Sequence, residues 1–192
     1  MHRSLHQSDR GFTLVDTLAT VAVLGIVLAI AVPMMTDLTT GLRLAEDTRS
    51  VERELQTARL KAVTSNRPIR VRFNCPTAGD FRMVELIGTT RTPDAGDTPA
   101  ARCAESGYPY PADTDPMTVP NHDGPLRQLQ LGVVFGSSVR TVEFWPDGTA
   151  HVDQGTGNPW PVIPSTGISI VLQQGPKTKA ITVNGLGRIQ IS

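Results

Sequence analysis

The sequence predicts an α+β chain: a long N-terminal helix able to span a membrane, packed on an antiparallel β-sheet domain. Three observations predict it. From Thr17 to Met35, nineteen consecutive residues carry no charge and are mostly Ala, Val, Leu and Ile. As a helix they would be roughly 28 Å long, close to the ~30 Å hydrocarbon core of a bilayer. From Thr36 to about Ser65 apolar residues recur at helical spacing. From Ile69 onward, short alternating segments are separated by Gly, Pro and Asn, as strands and turns are.

Residues 1–11 form a polar leader with Arg3, Asp9 and Arg10. Residues 12–35 are the membrane-spanning helix, with one charge, Asp16, at its outer end. Charges inside membrane helices are rare and mark function. Pro33 would remove a helical hydrogen bond and crowd the preceding turn. Residues 36–66 continue the helix with Leu38, Leu42, Ala45, Val51, Leu55, Ala58 and Ala62 as the stripe expected against a sheet. Gly41 lowers helix propensity by about 1 kcal/mol relative to Ala, which allows a bend. Asn66 to Pro68 end the helix.

Residues 67–192 form the β domain. Ile69 to Phe73 alternates, which places Arg70 and Arg72 on a solvated strand face. Phe81 to Ile87 is the next strand. Gly88 to Pro125 is rich in Pro, Gly, Asp and Thr and has no periodicity. A loop of this length in a compact domain is either functional or partly disordered, and its prolines bar it from a central strand. Arg140–Trp145 and Thr149–Val152 flank the turn Pro146-Asp147-Gly148. Ile168–Leu172, Lys179–Val183 and Arg188–Ile191 complete the set, with a turn at Asn184-Gly185.

Eighteen basic and eighteen acidic residues give no net charge, which argues against a general polyanion binder. Few aromatics and 15 prolines suit a loop-rich extracytoplasmic domain. The basic leader favours a cytoplasmic N-terminus. Cys75 and Cys103 could close one disulfide in an oxidising periplasm, the alternative being two free or buried thiols. They lack zinc-site spacing. His122 and His151 stand alone, Asp113 and Asp115 read as turn residues, and Gly155-Thr156-Gly157-Asn158 lacks the Lys-Ser or Lys-Thr of a phosphate loop. Ser137-Ser138 has no nucleophile-elbow context. No catalysis, cofactor or metal is expected.

A secretory signal carries its small-residue cleavage site after the apolar stretch. Here the small residue, Gly11, precedes it and Phe12 follows. That order resembles a type IV prepilin. The resemblance implies that a prepilin peptidase cuts between Gly11 and Phe12 and methylates the new amine of Phe12. It makes Asp16 the fifth residue of the mature chain, where the family usually has Glu, and implies that its carboxylate meets the N-terminal amine of a neighbouring subunit. Asp keeps the charge but reaches one methylene less. Pro33 falls where many pilins have a kinking proline.

Three later stretches, TARLKAVTSNRPIRVRF (57–73), VEFWPDGTA (142–150) and ITVNGLGRIQIS (181–192), resemble the GspH/FimT family. This implies a minor pseudopilin of a type II secretion system, anchored once in the bacterial inner membrane with its C-terminal domain in the periplasm. Its implied partners are the peptidase and other pilins or pseudopilins in a filament. The alternative is a FimT-like minor pilin of a type IV pilus, some of which bind DNA through a terminal G-R-x-R. The matching residues are Gly187, Arg188, Ile189 and Gln190, so Arg188 is the candidate DNA contact and Gln190 replaces the second arginine. A second basic stretch holds Arg59, Lys61, Arg67, Arg70 and Arg72.

Overall fold

The computed structural model describes residues 13–110, 119–155 and 157–192. The chain divides at Thr40 and Gly41 into two compact units. One helix assignment, α1 (Leu14–Ser65, 52 residues), runs through Pro33 and Gly41.

The first unit is the apolar part of α1. Its large side chains are exposed all round, from Leu14 (78%) through Val27 (54%) to Met35 (65%). A helix apolar on every side is buried by something outside itself. By length and composition this segment can cross a membrane.

The second unit begins with the rest of α1. Leu44, Val51, Leu55, Ala58 and Ala62 are at most 2% exposed and enter one core with both sheets. This stripe differs from the expected one. Leu38 and Leu42 are exposed at 54% and 67%, and Leu44 takes the place at its head. Counted back from Val51 at ~100° per residue, Leu44 stays in phase while Leu42 lies about half a turn away. The helix ends as expected: Asn66 adopts a left-handed φ of 55°, and the Arg67 N–H donates to the carbonyl of Ala62 at 3.3 Å. That is the Schellman pattern, which satisfies a carbonyl left over at the helix end.

Among the described residues, nine antiparallel strands follow. The first sheet has the order β3-β2-β1-β5-β6, built from β1 (Ile69–Phe73), β2 (Asp80–Glu85), β3 (Arg127–Gln128), β5 (Val142–Phe144) and β6 (Ala150–Val152). The second has the order β4-β7-β8-β9, from β4 (Val134–Phe135), β7 (Ile168–Gln174), β8 (Lys177–Val183) and β9 (Ile189–Ile191). The α+β class read from the sequence, a long N-terminal helix with antiparallel sheets, is the one observed. Phe135 of the second sheet packs edge-on to Phe73 and Phe81 of the first, with ring centroids 5.1 and 5.9 Å away. The short β3 and β4 have too few residues to show any alternation, so the sequence did not reveal them.

The segment after β2 corrects two expectations. It carries a 3₁₀ turn (Ala95–Asp97) and a short helix, α2 (Pro99–Arg102). It also lies over the sheet, so Arg70 and Arg72 are each 4% exposed rather than solvated. Every residue of β1 and β2 is buried. Cys75, just past β1, pairs as a disulfide with Cys103, just past α2, their Cα atoms 5.1 Å apart.

Candidate functional site

The start of α1 carries the first candidate residue. Thr13 stands at the N-cap position, and its N–H and Oγ1–H donate to Asp16 Oδ2 at 3.1 and 2.7 Å. The Asp16 N–H donates back to Thr13 Oγ1 at 3.2 Å. This reciprocal pair is a capping box, which satisfies two of the N–H groups left over at a helix start. Asp16 therefore has a local role that the sequence reading missed, although Thr-x-x-Asp was its visible signal. Pro33 falls inside α1. Gly11 and Phe12, the expected cleavage and methylation positions, lie outside the described residues, as do Asp113 and Asp115.

Arg188, the candidate DNA contact, is exposed at the end of the second unit. It lines a groove of about 460 Å³ with Gln56, Arg59, Leu60 and Val63 of α1 and with Leu186 to Ile189. Asn184 Oδ1 organises the turn by accepting from the N–H groups of Leu186 (3.1 Å) and Arg188 (2.9 Å). Arg59 then latches the helix to both hairpins: Nη2 donates to the carbonyl of Leu186 at 3.1 Å and Nε to that of Gly148 at 3.4 Å. Gly187 sits at φ 71°, and a Cβ there would lie 2.5 Å from Arg59 Nε. The groove thus brings Arg188 beside Arg59, while Arg70 and Arg72 of the same basic stretch are buried elsewhere.

A third feature was not visible as a cluster in the sequence. Register pairs Arg72 with Arg82 across β1 and β2, and like charges directly opposite repel. The covering segment answers with carboxylates. Arg82 Nη2 lies 3.8 Å from Asp123 Oδ2, and Arg102 Nη2 lies 2.5 Å from Asp123 Oδ1. Arg82 also donates to the carbonyls of Gly124, Arg102 and Tyr108. Burial pushes the Asp123 carboxyl above its ordinary value, against the pull of Arg102. Burial lowers the Arg82 guanidinium. Glu85 caps the other end, accepting from the N–H groups of Asn121 and His122 at 2.7 and 3.0 Å.

The helix holds the sheet edge through two buried acids, Glu54 and Asp47. Glu54, 3% exposed, accepts from Arg127 Nε at 2.8 Å. Asp47 Oδ2, on a residue 5% exposed, accepts from the Gln130 N–H at 2.9 Å. His151 is buried, stacked on Trp145 with centroids 3.8 Å apart, its Nδ1 2.8 Å from the carbonyl of Trp160. Among the described residues, no group of three or more His, Cys, Asp or Glu could hold a metal ion.

No protein-family model matches the chain, and no curated protein matches it. Two solved structures are similar to it, both of the Pseudomonas aeruginosa PAO1 type IV minor pilin FimU in different crystal forms. The first is 16% identical with a TM-score of 0.45, over 78% of this chain and 92% of the pilin. The second is 16% identical with a TM-score of 0.47, over 81% of this chain and 92% of the pilin.

Proposed function

We propose that this chain is a filament subunit of the GspH/FimT kind, a minor pseudopilin of a type II secretion system. The observation that carries the reading is the apolar part of α1, exposed around its whole circumference and bearing one carboxylate in its first turn. Such a surface needs a bilayer before assembly and neighbouring helices after it. The order Gly11, Phe12, apolar stretch supplies the processing site. The globular unit is then the part displayed outside the membrane, in the periplasm, and the chain does no chemistry of its own.

In this reading Asp16 serves twice. It caps its own helix through Thr13, and its charge guides the Phe12 amine of an adjacent subunit. A carboxylate and an ammonium attract strongly in a low-dielectric filament core, provided they touch. The second reading is a minor pilin of a type IV pilus that contacts DNA. What favours it is the exposed Arg188 beside Arg59 in one groove. Against it, Arg59 already donates to two carbonyls, and Gln190 removes a cation that would release counterions on binding DNA.

The test is to express the chain with a prepilin peptidase and determine its intact mass and N-terminal sequence. A product starting at methylated Phe12 is expected, and Gly11→Val should leave the precursor uncut and outside filaments. A chain still starting at Met1 overturns the assignment. Loss of secretion rather than of piliation on deleting the gene then separates the two machines.

A further inference from the structure

The covered face of the first sheet leaves one buried cation unmatched. Arg70 has Glu143, and Arg82 and Arg102 share Asp123. Arg72 is 4% exposed, yet among the described residues no carboxylate oxygen lies within 4 Å of it. Its Nη2 donates to the backbone carbonyl of Asp97, and its Nε has no hydrogen-bond partner. The Asp97 carboxylate is engaged elsewhere, accepting from the N–H groups of Ile87, Gly88 and Asp94 at 2.8–2.9 Å. Burial, with Arg70 and Arg102 nearby, pushes Arg72 down to about 10 against the weaker pull of Asp153 and Asp97, so it remains charged at neutral pH. A buried guanidinium with no carboxylate in direct contact is costly.

Arg72 lines a pocket of about 230 Å³ with Arg70, Asp153, Asn158 and Trp160. The Arg70 guanidinium carbon lies 4.0 Å from the centre of the Trp160 ring, and its Nε is 2.6 Å from Glu143 Oε2, so its plane is fixed. Asp97, with Pro93 and Pro99, and the glycines Gly155 and Gly157 complete the wall. Two guanidinium groups, one held rigid and one short of partners, present a dense set of N–H donors. Guanidinium groups favour planar or tetrahedral oxyanions, which accept two such bonds at once.

We propose that this pocket binds a small oxyanion, a phosphate or a short carboxylate, with Arg72 as its counter-charge. The volume suits a group of a few atoms and lies below the range typical of larger ligands. Two acids line the pocket and oppose the anion: Asp97, whose carboxylate already accepts from three N–H groups, and Asp153, whose Oδ1 accepts from the Gly155 N–H at 2.7 Å. Removing the charge of Asp153 should therefore tighten binding.

The experiment uses the full chain in detergent micelles. Inorganic phosphate and malonate are titrated separately against sodium chloride at matched ionic strength, read by calorimetry and by the thermal midpoint. At least one anion should give saturable binding, and whichever does identifies the source. Asp153→Asn should tighten it several-fold, and Arg72→Gln should abolish it. No saturable binding of either anion by the wild type and Asp153→Asn overturns the proposal, as does unchanged binding by a folded Arg72→Gln. If Arg72→Gln does not fold, the Asp153→Asn titration decides alone, and an affinity no tighter than wild type overturns the site.

Discussion

Arg70 on β1 and Glu143 on β5 are register partners, and Arg70 Nε lies 2.6 Å from Glu143 Oε2 with both side chains at most 5% exposed. Glu143 Oε1 also accepts from the Trp145 ring N–H at 2.6 Å. Removing one member of a buried pair strands the other charge and costs about 3–5 kcal/mol. Arg70→Met alone should therefore destabilise the globular unit severely, whereas Arg70→Met with Glu143→Leu should lose much less than the sum of the two single changes. Denaturant midpoints for the four chains check this, and strict additivity would show that the pair contributes nothing as a pair.

The helix cap made by Asp16 can be separated from its proposed role in assembly. Asp16→Asn retains an oxygen to accept from Thr13 and loses the charge, while Asp16→Ala loses both. If the charge guides assembly, both variants should be cleaved normally and enter filaments poorly. Quantifying processed subunit in sheared filaments checks this; normal entry of Asp16→Asn would leave the residue a helix cap.

Burial raises the Asp47 carboxyl above its ordinary value, with the nearby charge of Glu46 acting the same way and the Gln130 N–H opposing. A raised folded value means that stability is fully present below the unfolded value of about 3.9 and falls as pH rises through the folded one. Asp47→Asn keeps an acceptor for Gln130 and removes that loss. The midpoint difference between variant and wild type should grow in the variant's favour from about pH 4 to about pH 7. A difference independent of pH would rule out the carboxyl as its source.

Gly187→Ala should be destabilising by about 1–3 kcal/mol, because its φ of 71° strains a side chain and the new Cβ would meet Arg59. The same change should loosen the Arg59 latch, so amide exchange should rise at Leu186 to Arg188 before it rises in β7 or β8. Uniform exchange across the second sheet would contradict a local latch.

What the sequence made legible depended on period. Ile69–Phe73 matched strand alternation and is β1 to the residue. Alternation says which residues share a face but not whether that face is later covered. Trp160 covers Arg70, and Asp97 in the segment after β2 accepts from Arg72, contacts with no apolar rhythm to announce them. Asp47 and Glu54 were hidden for a related reason. Carboxylates on an amphipathic helix resemble a wet face until a strand arrives with Arg127 and the Gln130 N–H to meet them. Asp16 is the reverse case, since its capping partner sat three residues away in plain view.

The bond between Cys75 and Cys103 joins β1 to the end of α2, and so ties the cover to the surface that it hides. Four arginines, Arg70, Arg72, Arg82 and Arg102, lie beneath or within that cover. Where thiols stay reduced, nothing covalent would keep water from this charged layer, and the cover would be held by its ion pairs and hydrogen bonds. In a compartment where disulfides persist, that bond acts as a clasp on a seal.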